Sequence, residues 1–439
     1  MAHGFAAIPN DGAYVLANAT IPAVLLSGFP SAADDHGLVR ADVTIRDGTI
    51  ATIAAAGTTR GIPHVELDRG MVWPGFVDMH THLDKGHIYC RTVTPGGTFA
   101  DAIAAIRADR KRNWNARDLM ARMEFSLRCA YAHGTTVIRT HLDSDPPQHR
   151  ISWPVFAEMR DRWADRIDLQ AVSIFEIDAF RDATFADEIV ETVAAHGGVL
   201  GAFLYVTPDV ERAIETLMLR AANRGLDLDF HVDETGDPGA HNLRVIADTA
   251  LRTDFPGTIV AGHCCSLAVQ PDSEAEATMD RVAEADIAVV SLPMCNLHLQ
   301  ARTANGTPRW RGVTLVHELA ARGVRVAVAS DNTRDPFYDY GDMDMVEVYR
   351  EATRILQLDH PVGRWPAAVT RTPAEIVGEP ERGVIAEGAR ADLVLFRARD
   401  YTELMSRPQS DRTVIRSGRS VDTTLPDYRE LDHLLEVRA

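Results

Sequence analysis

Ionisable side chains gather where short apolar runs of this chain end. His80 and His82 close the first such run, His141 the second, Glu176 the third, His231 and Glu234 the fifth, His263 the sixth and Asp331 the eighth. His80 and His82 are two residues apart, so in an extended segment their imidazoles share one face and can grip one ion through nitrogens at ~2.0–2.1 Å. With His231 and the hard carboxylate of Asp331 they form a three-histidine, one-carboxylate set. Such a set suits a divalent ion, Zn2+ or Fe2+, with a position left for water. Other metal chemistries fail on spacing: HELAA (317–321) is not HExxH, and His64-Val65-Glu66 has no PCxxC downstream. Cys90, Cys129, Cys264, Cys265 and Cys295 are odd in number and lack CxxC spacing. Neither a disulfide framework nor a cysteine zinc site is expected, and a reducing cytoplasm fits.

The elements that position these groups follow from periodicity. Eight β-type runs are expected at 71–80, 135–141, 168–175, 198–205, 226–232, 258–263, 287–292 and 325–331, with helical patterns between them. One of these is VERAIETLMLRAANRG (210–225), where the terminal glycine suits a helix stop. Eight alternating units predict an α/β fold of the (β/α)8 TIM-like barrel type, whose strand ends converge on one mouth. A doubly wound open sheet is the competing architecture. No GxGxxG follows the first strand and no GxxxxGK[ST] occurs, so the usual nucleotide cradles are missing. The two ends of the chain read as short strands. Asp47-Gly48 suits a two-residue hairpin turn, and ADLVLF (391–396) precedes a second turn at Gly418. A small β-sandwich domain built from residues 1–72 and 383–439 is therefore expected beside a barrel of residues 73–382.

The chain has 439 residues, 46% of them hydrophobic and 25% charged, which is ordinary globular composition. A net charge of −18 repels phosphate backbones and anionic lipid, so neither nucleic acid nor a membrane is an expected partner. The start, MAHGFAAIPNDG, lacks a basic stretch followed by an apolar one, and no apolar run of 18 residues occurs. Of the 45 basic residues only Lys85 and Lys111 are lysines.

PGFVDMHTHLDK (74–85), GTTVIRTHLD (134–143), HVDE (231–234), CNLHLQAR (295–302) and SDNTRDPF (330–337), in this order, resemble the amidohydrolase superfamily and within it the cytosine deaminases. The likeness covers most of residues 71–360, and GVIAEGARADLVLF (383–396) is similar to the superfamily's return into its β domain. The resemblance implies that His80, His82, His231 and Asp331 bind one divalent metal. It implies that Glu234 shuttles a proton to a ring nitrogen and that His263 orients the attacking hydroxide, with Asp331 accepting its proton. Binuclear members commonly use a carboxylated lysine on the fourth strand, and GVLGAFLY (198–205) has none. His298 and Gln300 resemble the substrate-side loop, and His141 and Asp143 resemble supporting groups.

Two positions depart from the cytosine deaminase pattern. Glu176 stands where that family places a glutamine, and Asn332 follows Asp331 where the family has a second aspartate. An ionised glutamate only accepts hydrogen bonds, so Glu176 favours a ring edge that presents N–H donors. The expected activity is metal-dependent hydrolytic deamination of an amino-substituted heterocycle with release of ammonia. 5-Methylcytosine, isocytosine, an aminopterin-like ring and creatinine are the candidate substrates. The alternative is hydrolysis of another C–N bond, as in a cyclic amide or an N-alkylaminotriazine. A non-catalytic metal-binding barrel would be expected to lack Glu234, His263 or Asp331, and all three are present. A homo-oligomer is a further expectation of the resemblance.

Overall fold

The computed structural model describes residues 4–435 other than 11, 30, 31, 93, 95 and 304, so part of the start read above for an export signal lies outside the described residues. The fold is mixed α/β, with two compact units. One comprises residues 1–78, 128–137 and 343–426, the other residues 79–127, 138–342 and 427–439.

In the first unit, strands from both ends of the chain join one eight-stranded sheet. Its centre is the antiparallel pairing of Met71–Pro74 with Leu393–Phe396. Its core is aliphatic, with Leu16, Ile21, Val43, Ile45, Val72, Leu393 and Ile415 all buried. The expected hairpin is present: Arg46 pairs with Thr49 across Asp47 and Gly48, both at positive φ, as a primed two-residue turn requires. Ser417-Gly418 makes the same kind of turn between Thr413–Arg416 and Arg419–Ser420.

The expected run 71–80 is in fact two strands. Met71–Pro74 belongs to the sheet just described, whereas Phe76–Thr81 lies beside Thr135–Asp143. Gly75 separates them because the chain there passes hard against its neighbour: a Cβ at this position would lie 2.3 Å from Thr136 Cγ2. Proline at 74, which lacks an N–H, completes the break.

The alternating strands and helices lie mostly in the second unit. Phe203–Leu204, Leu228–Val232, Ile259–His263, Ala288–Ser291 and Val326–Val328 form a five-stranded parallel sheet in that order. Phe76–Thr81, Thr135–Asp143 and Asp168–Ile174 form a three-stranded one. Single parallel bridges join Val172 to Val199, Glu176 to Phe203, Leu200 to Leu228 and Thr81 to Asp331. The run 198–205 is thus reduced to a two-residue ladder. Its glycines mark the cause, since a Cβ on Gly201 would fall 2.1 Å from the Asp229 carbonyl oxygen, so the backbones approach too closely for regular pairing. Helix Val210–Arg224 ends as expected, on Gly225 in the left-handed conformation. Among the described residues no helix is long and apolar enough to cross a membrane.

Asp344 fixes the start of helix Met345–Leu356 by accepting from the Val346 N–H, and the Arg412 guanidinium grips both of its carboxylate oxygens at 2.6 Å. Burial raises the pKa of this carboxyl, but Arg412 and His133 together lower it by more, so it stays well below the usual carboxylate range. Asp344→Asn is expected to cost about 3 kcal/mol in urea unfolding at pH 7. Because the folded group is the stronger acid, that stabilisation exists above its unfolded pKa of about 3.9 and the gap to the variant should narrow as pH falls below it.

Candidate active site

Four strand ends contribute the ionisable groups. His80 sits on Phe76–Thr81 and His82 follows it; His231 lies on Leu228–Val232, with Glu234 just beyond; His263 ends Ile259–His263. Asp331 follows the last strand and is bridged to Thr81. Asp233, His263 and Asp331 all have positive φ, at 52°, 70° and 63°. Left-handed backbone is uncommon outside glycine, although Asp and His tolerate it better than most. Here it bends the chain where each strand finishes.

The imidazoles converge. His80 Nε2 lies 3.1 Å from His231 Nε2, and His231 Nε2 lies 3.2 Å from His82 Nε2. Asp331 Oδ1 is 3.2 Å from His82 Nε2 and 3.8 Å from His80 Nε2. His263 joins the group, since one donor atom each from His80, His231, His263 and Asp331 all lie within 4.8 Å of one another. Burial, followed by the neighbouring cationic groups, holds His80, His82 and His231 well below the usual imidazole pKa, so each presents a neutral ring. His263 is depressed to about 3, again mainly by burial. Lone pairs of neutral rings facing one another repel unless a proton or a cation lies between them. A tetrahedral ion with bonds of ~2.0–2.1 Å has edges of about 3.3 Å, close to these separations. The donor set therefore fits a divalent ion such as Zn2+ or Fe2+. His263 Nε2 is buried with no protein partner, which leaves it available at the same place.

Glu234 stands beside this cluster with Oε1 at 3.3 Å from His263 Nδ1. Burial first, and the Asp331 charge second, raise its pKa well above that of an ordinary glutamate. Its surroundings come from helix Pro293–Leu299. Asn296 Nδ2 donates to Glu234 Oε1 at 3.3 Å and lies 3.0 Å from His263 Nδ1, and Gln300 Nε2 donates to the Glu234 carbonyl oxygen at 3.2 Å.

A cavity of about 620 Å³, its mouth included, opens onto these groups. Phe99, Phe203 and Phe337 form an aromatic wall, with ring centroids 6.0 and 5.6 Å apart. Helix Phe99–Asn113 supplies Ile103, Ile106, Arg107 and Arg110 as well. Glu176 lines the cavity and also pairs with Arg107 at its mouth. Asn332 lines it too, with its amide donating to Asp335 at 2.7 Å. Lys85 is buried 3.1 Å from Asp143, which Arg110 also holds.

His80, His82, His231, Glu234, His263, Asp331, Glu176 and Asn332 are thus brought together around one cavity or the cluster at its base. His298 is not. It faces Arg302, with Tyr338 and Tyr340 against its ring. Gln300 touches only the main chain of Glu234 among these groups. His141 stacks 3.9 Å from His80 and faces Asp229, beneath the cluster. Asn296 was not singled out by sequence reasoning, although a signal existed. Pro293 at the first helical position announces a helix, on which Asn296 and Gln300, four apart, share a face that His298 does not.

Comparison with known proteins agrees with this geometry. Residues 201–422 match the model of the amidohydrolase family. A pterin deaminase from Rhizobium rhizogenes strain K84 is 53% identical over 436 residues, covering 99% of this chain and all of the relative. N-isopropylammelide isopropyl amidohydrolase from Pseudomonas sp. strain ADP is 22% identical, covering 81% of this chain and 87% of that one. Among solved structures, 5-methylcytosine deaminase from Klebsiella pneumoniae with 5-fluorocytosine superposes with a TM-score of 0.81 at 22% identity, covering 94% of this chain and 98% of that one. With the family model matching half of the chain and one relative aligned along its whole length, this chain belongs to the amidohydrolase family.

Proposed function

We propose that this enzyme hydrolytically deaminates a 2-amino-4-oxopteridine, exchanging the 2-amino group for a carbonyl and releasing ammonia. The observation that carries the reading is a buried Glu234, its pKa raised by burial and by the Asp331 charge, next to a convergent His80–His82–His231–Asp331 cluster at the base of an aromatic-walled cavity. The pterin ring is suggested by the end-to-end kinship with a pterin deaminase. In this reading the two sheets of the second unit close as a (β/α)8 barrel of about residues 73–382, and residues 1–72 and 383–439 form a small β domain. His80, His82, His231 and Asp331 would hold one divalent metal, Zn2+ or Fe2+.

A divalent ion held there supplies Lewis acidity that brings the pKa of water from about 15.7 toward ~7. Asp331 is the nearest base and takes a proton as the water oxygen bonds to the amine-bearing carbon. Glu234 delivers its proton to the adjacent ring nitrogen, so the π electrons displaced by the new C–O bond end as an N–H pair. His263, with Nδ1 on the Glu234 and Asn296 side, aims its Nε2 at the reacting oxygen. The amine then acquires a proton, the C–N bond breaks toward nitrogen, and the hydroxyl proton leaves as the carbonyl forms. Water and pterin become a 2,4-dioxopteridine and ammonia. Two carboxyl groups with opposite proton loads are needed, and the Asp331 charge helps to keep Glu234 protonated. Glu176 accepts from ring N–H donors, for which an ionised carboxylate is suited.

Protein reconstituted with Zn2+ or Fe2+ should release ammonia from pterin in a coupled assay, and Asp331→Ala should reduce this to background. Glu234→Gln should lower kcat by about 10²- to 10⁴-fold at unchanged metal content. Release of an alkylamine from an N-alkylaminotriazine, with no ammonia from any pterin, would instead favour the other C–N hydrolysis. A Cβ on Gly262 would lie 2.9 Å from His80 Cε1, so Gly262→Ala should push that ring aside. Elemental analysis should find less than one equivalent of metal in this variant while its circular dichroism stays that of the parent. Glu176→Gln places an amide donor against N–H donors, and its KM for pterin should rise roughly tenfold.

A further inference from the structure

Lys85 is one of only two lysines in the chain, and the other, Lys111, lies on helix Phe99–Asn113 and does not line the cavity. Its side chain is 7% exposed, yet it forms part of the cavity wall. A buried ammonium is costly unless its donors are used. Asp143 accepts one of them at 3.1 Å, but Asp143 also serves Arg110 at 3.1 Å and takes its place in a chain that continues to Asp145. Arg110 spends Nη1 on both aspartates. Asn332 spends its amide on Asp335, and Arg107 is engaged with Glu176 at the mouth. Arg110 Nη1 and the Asn332 amide are thus engaged with aspartates, whereas the Lys85 ammonium has three protons and pairs with the Asp143 carboxylate. Nζ lies over the Phe337 ring, 5.6 Å from its centroid, so the cation adjoins the aromatic wall on which a flat ring would lie. Lys85 lines the same cavity as His82, His231, His263 and Glu234.

We infer that Lys85 is a specificity residue that donates to the ring carbonyl at position 4 of the substrate, selecting 4-oxo over 4-amino pteridines. The inference rests on the proposed pterin reading. The selection has an attractive and a repulsive part. A carbonyl oxygen accepts from the ammonium, whereas a 4-amino group turns N–H donors against a cation that has no other place to go. Lysine suits the role as a compact point charge, and the planar fork of arginine would not fit between Asp143 and the ring. The carbonyl hydrogen bond also draws electron density from the pyrimidine ring, which favours attack at the amine-bearing carbon.

Pteridines fluoresce, so equilibrium titration of the metal-loaded protein reads binding without turnover. The wild-type protein should bind 2-amino-4-oxopteridine and its 2,4-dioxo product at least tenfold more tightly than 2,4-diaminopteridine. Lys85→Met should lose at least tenfold in affinity for the 4-oxo ligands and little for the diamino ligand, abolishing the preference. Lys85→Met/Asp143→Asn removes the carboxylate that the single change leaves to Arg110 alone and should behave alike; its thermal midpoint checks folding. Equal wild-type affinity for oxo and diamino ligands would overturn the inference whatever the variants do, as would a preference that survives in a folded variant. Selective binding without ammonia release would sustain the role of Lys85 and sink deamination; no binding of any pteridine would sink both.

Discussion

Three neutral imidazoles and a carboxylate meet in a buried place, ring nitrogen against ring nitrogen. His231 Nε2 lies 3.1 Å from His80 Nε2 and 3.2 Å from His82 Nε2, and Asp331 closes the group at 3.2 Å from His82. Desolvation is what makes this arrangement possible, because protonated rings at that spacing would repel one another strongly. It also makes the arrangement demanding. The rings must be held from outside, and the structure does so with close main-chain contacts, with Gly262 beneath His80 and with His141 stacked behind it. The left-handed residues His263 and Asp331 belong to the same constraint, since each turns the chain as its strand ends.

The charge around the cavity follows from the cluster. Asp84, Asp143, Asp145, Glu176, Glu234, Asp331 and Asp335 are a heavy acidic load for one region, and Lys85, Arg107 and Arg110 are the cations set among them. Lys85 and Arg110 hold the Asp143 carboxyl low although burial opposes them, whereas at Asp145 burial outweighs the pairing with Arg110. Where no cation is paired, burial wins: Glu234 is raised, and Asp335 is pushed up to about 6. One acid ready to give a proton and one base ready to take it can thus be produced from identical functional groups.

Much of this was legible because the informative residues lie at strand ends. His80-x-His82 states its geometry in two letters, and HVDE puts a histidine and a carboxyl on the same strand end. The hairpin at Asp47-Gly48 was equally plain, since positive φ at two consecutive positions narrows the residue choice. What was not legible depends on distant neighbours. Nothing local in MVWPGFVDMH tells that Gly75 meets Thr136 and splits the run. Nothing in GVLGAFLY announces that Gly201 lies against Asp229, so that only Phe203–Leu204 pairs regularly. His298 was favoured over Asn296 because a histidine carries more obvious chemistry, whereas helical phase decides which of them faces Glu234.

Reaction and recognition are built on different parts of this chain. The groups proposed for bond breaking come from strand ends, fixed by sheet hydrogen bonds and by one another. The groups that would meet the rest of the substrate come from helix Phe99–Asn113, from Lys85 and Glu176 just past their strands, and from residues 332–337. Side chains on helices and loops can be exchanged without disturbing a sheet, so substrate can change while the cluster stays. That division accounts for a fold shared at 22% identity with a 5-methylcytosine deaminase. In such an arrangement the cavity wall is the part in which a buried donor or acceptor can set which ring edge is tolerated.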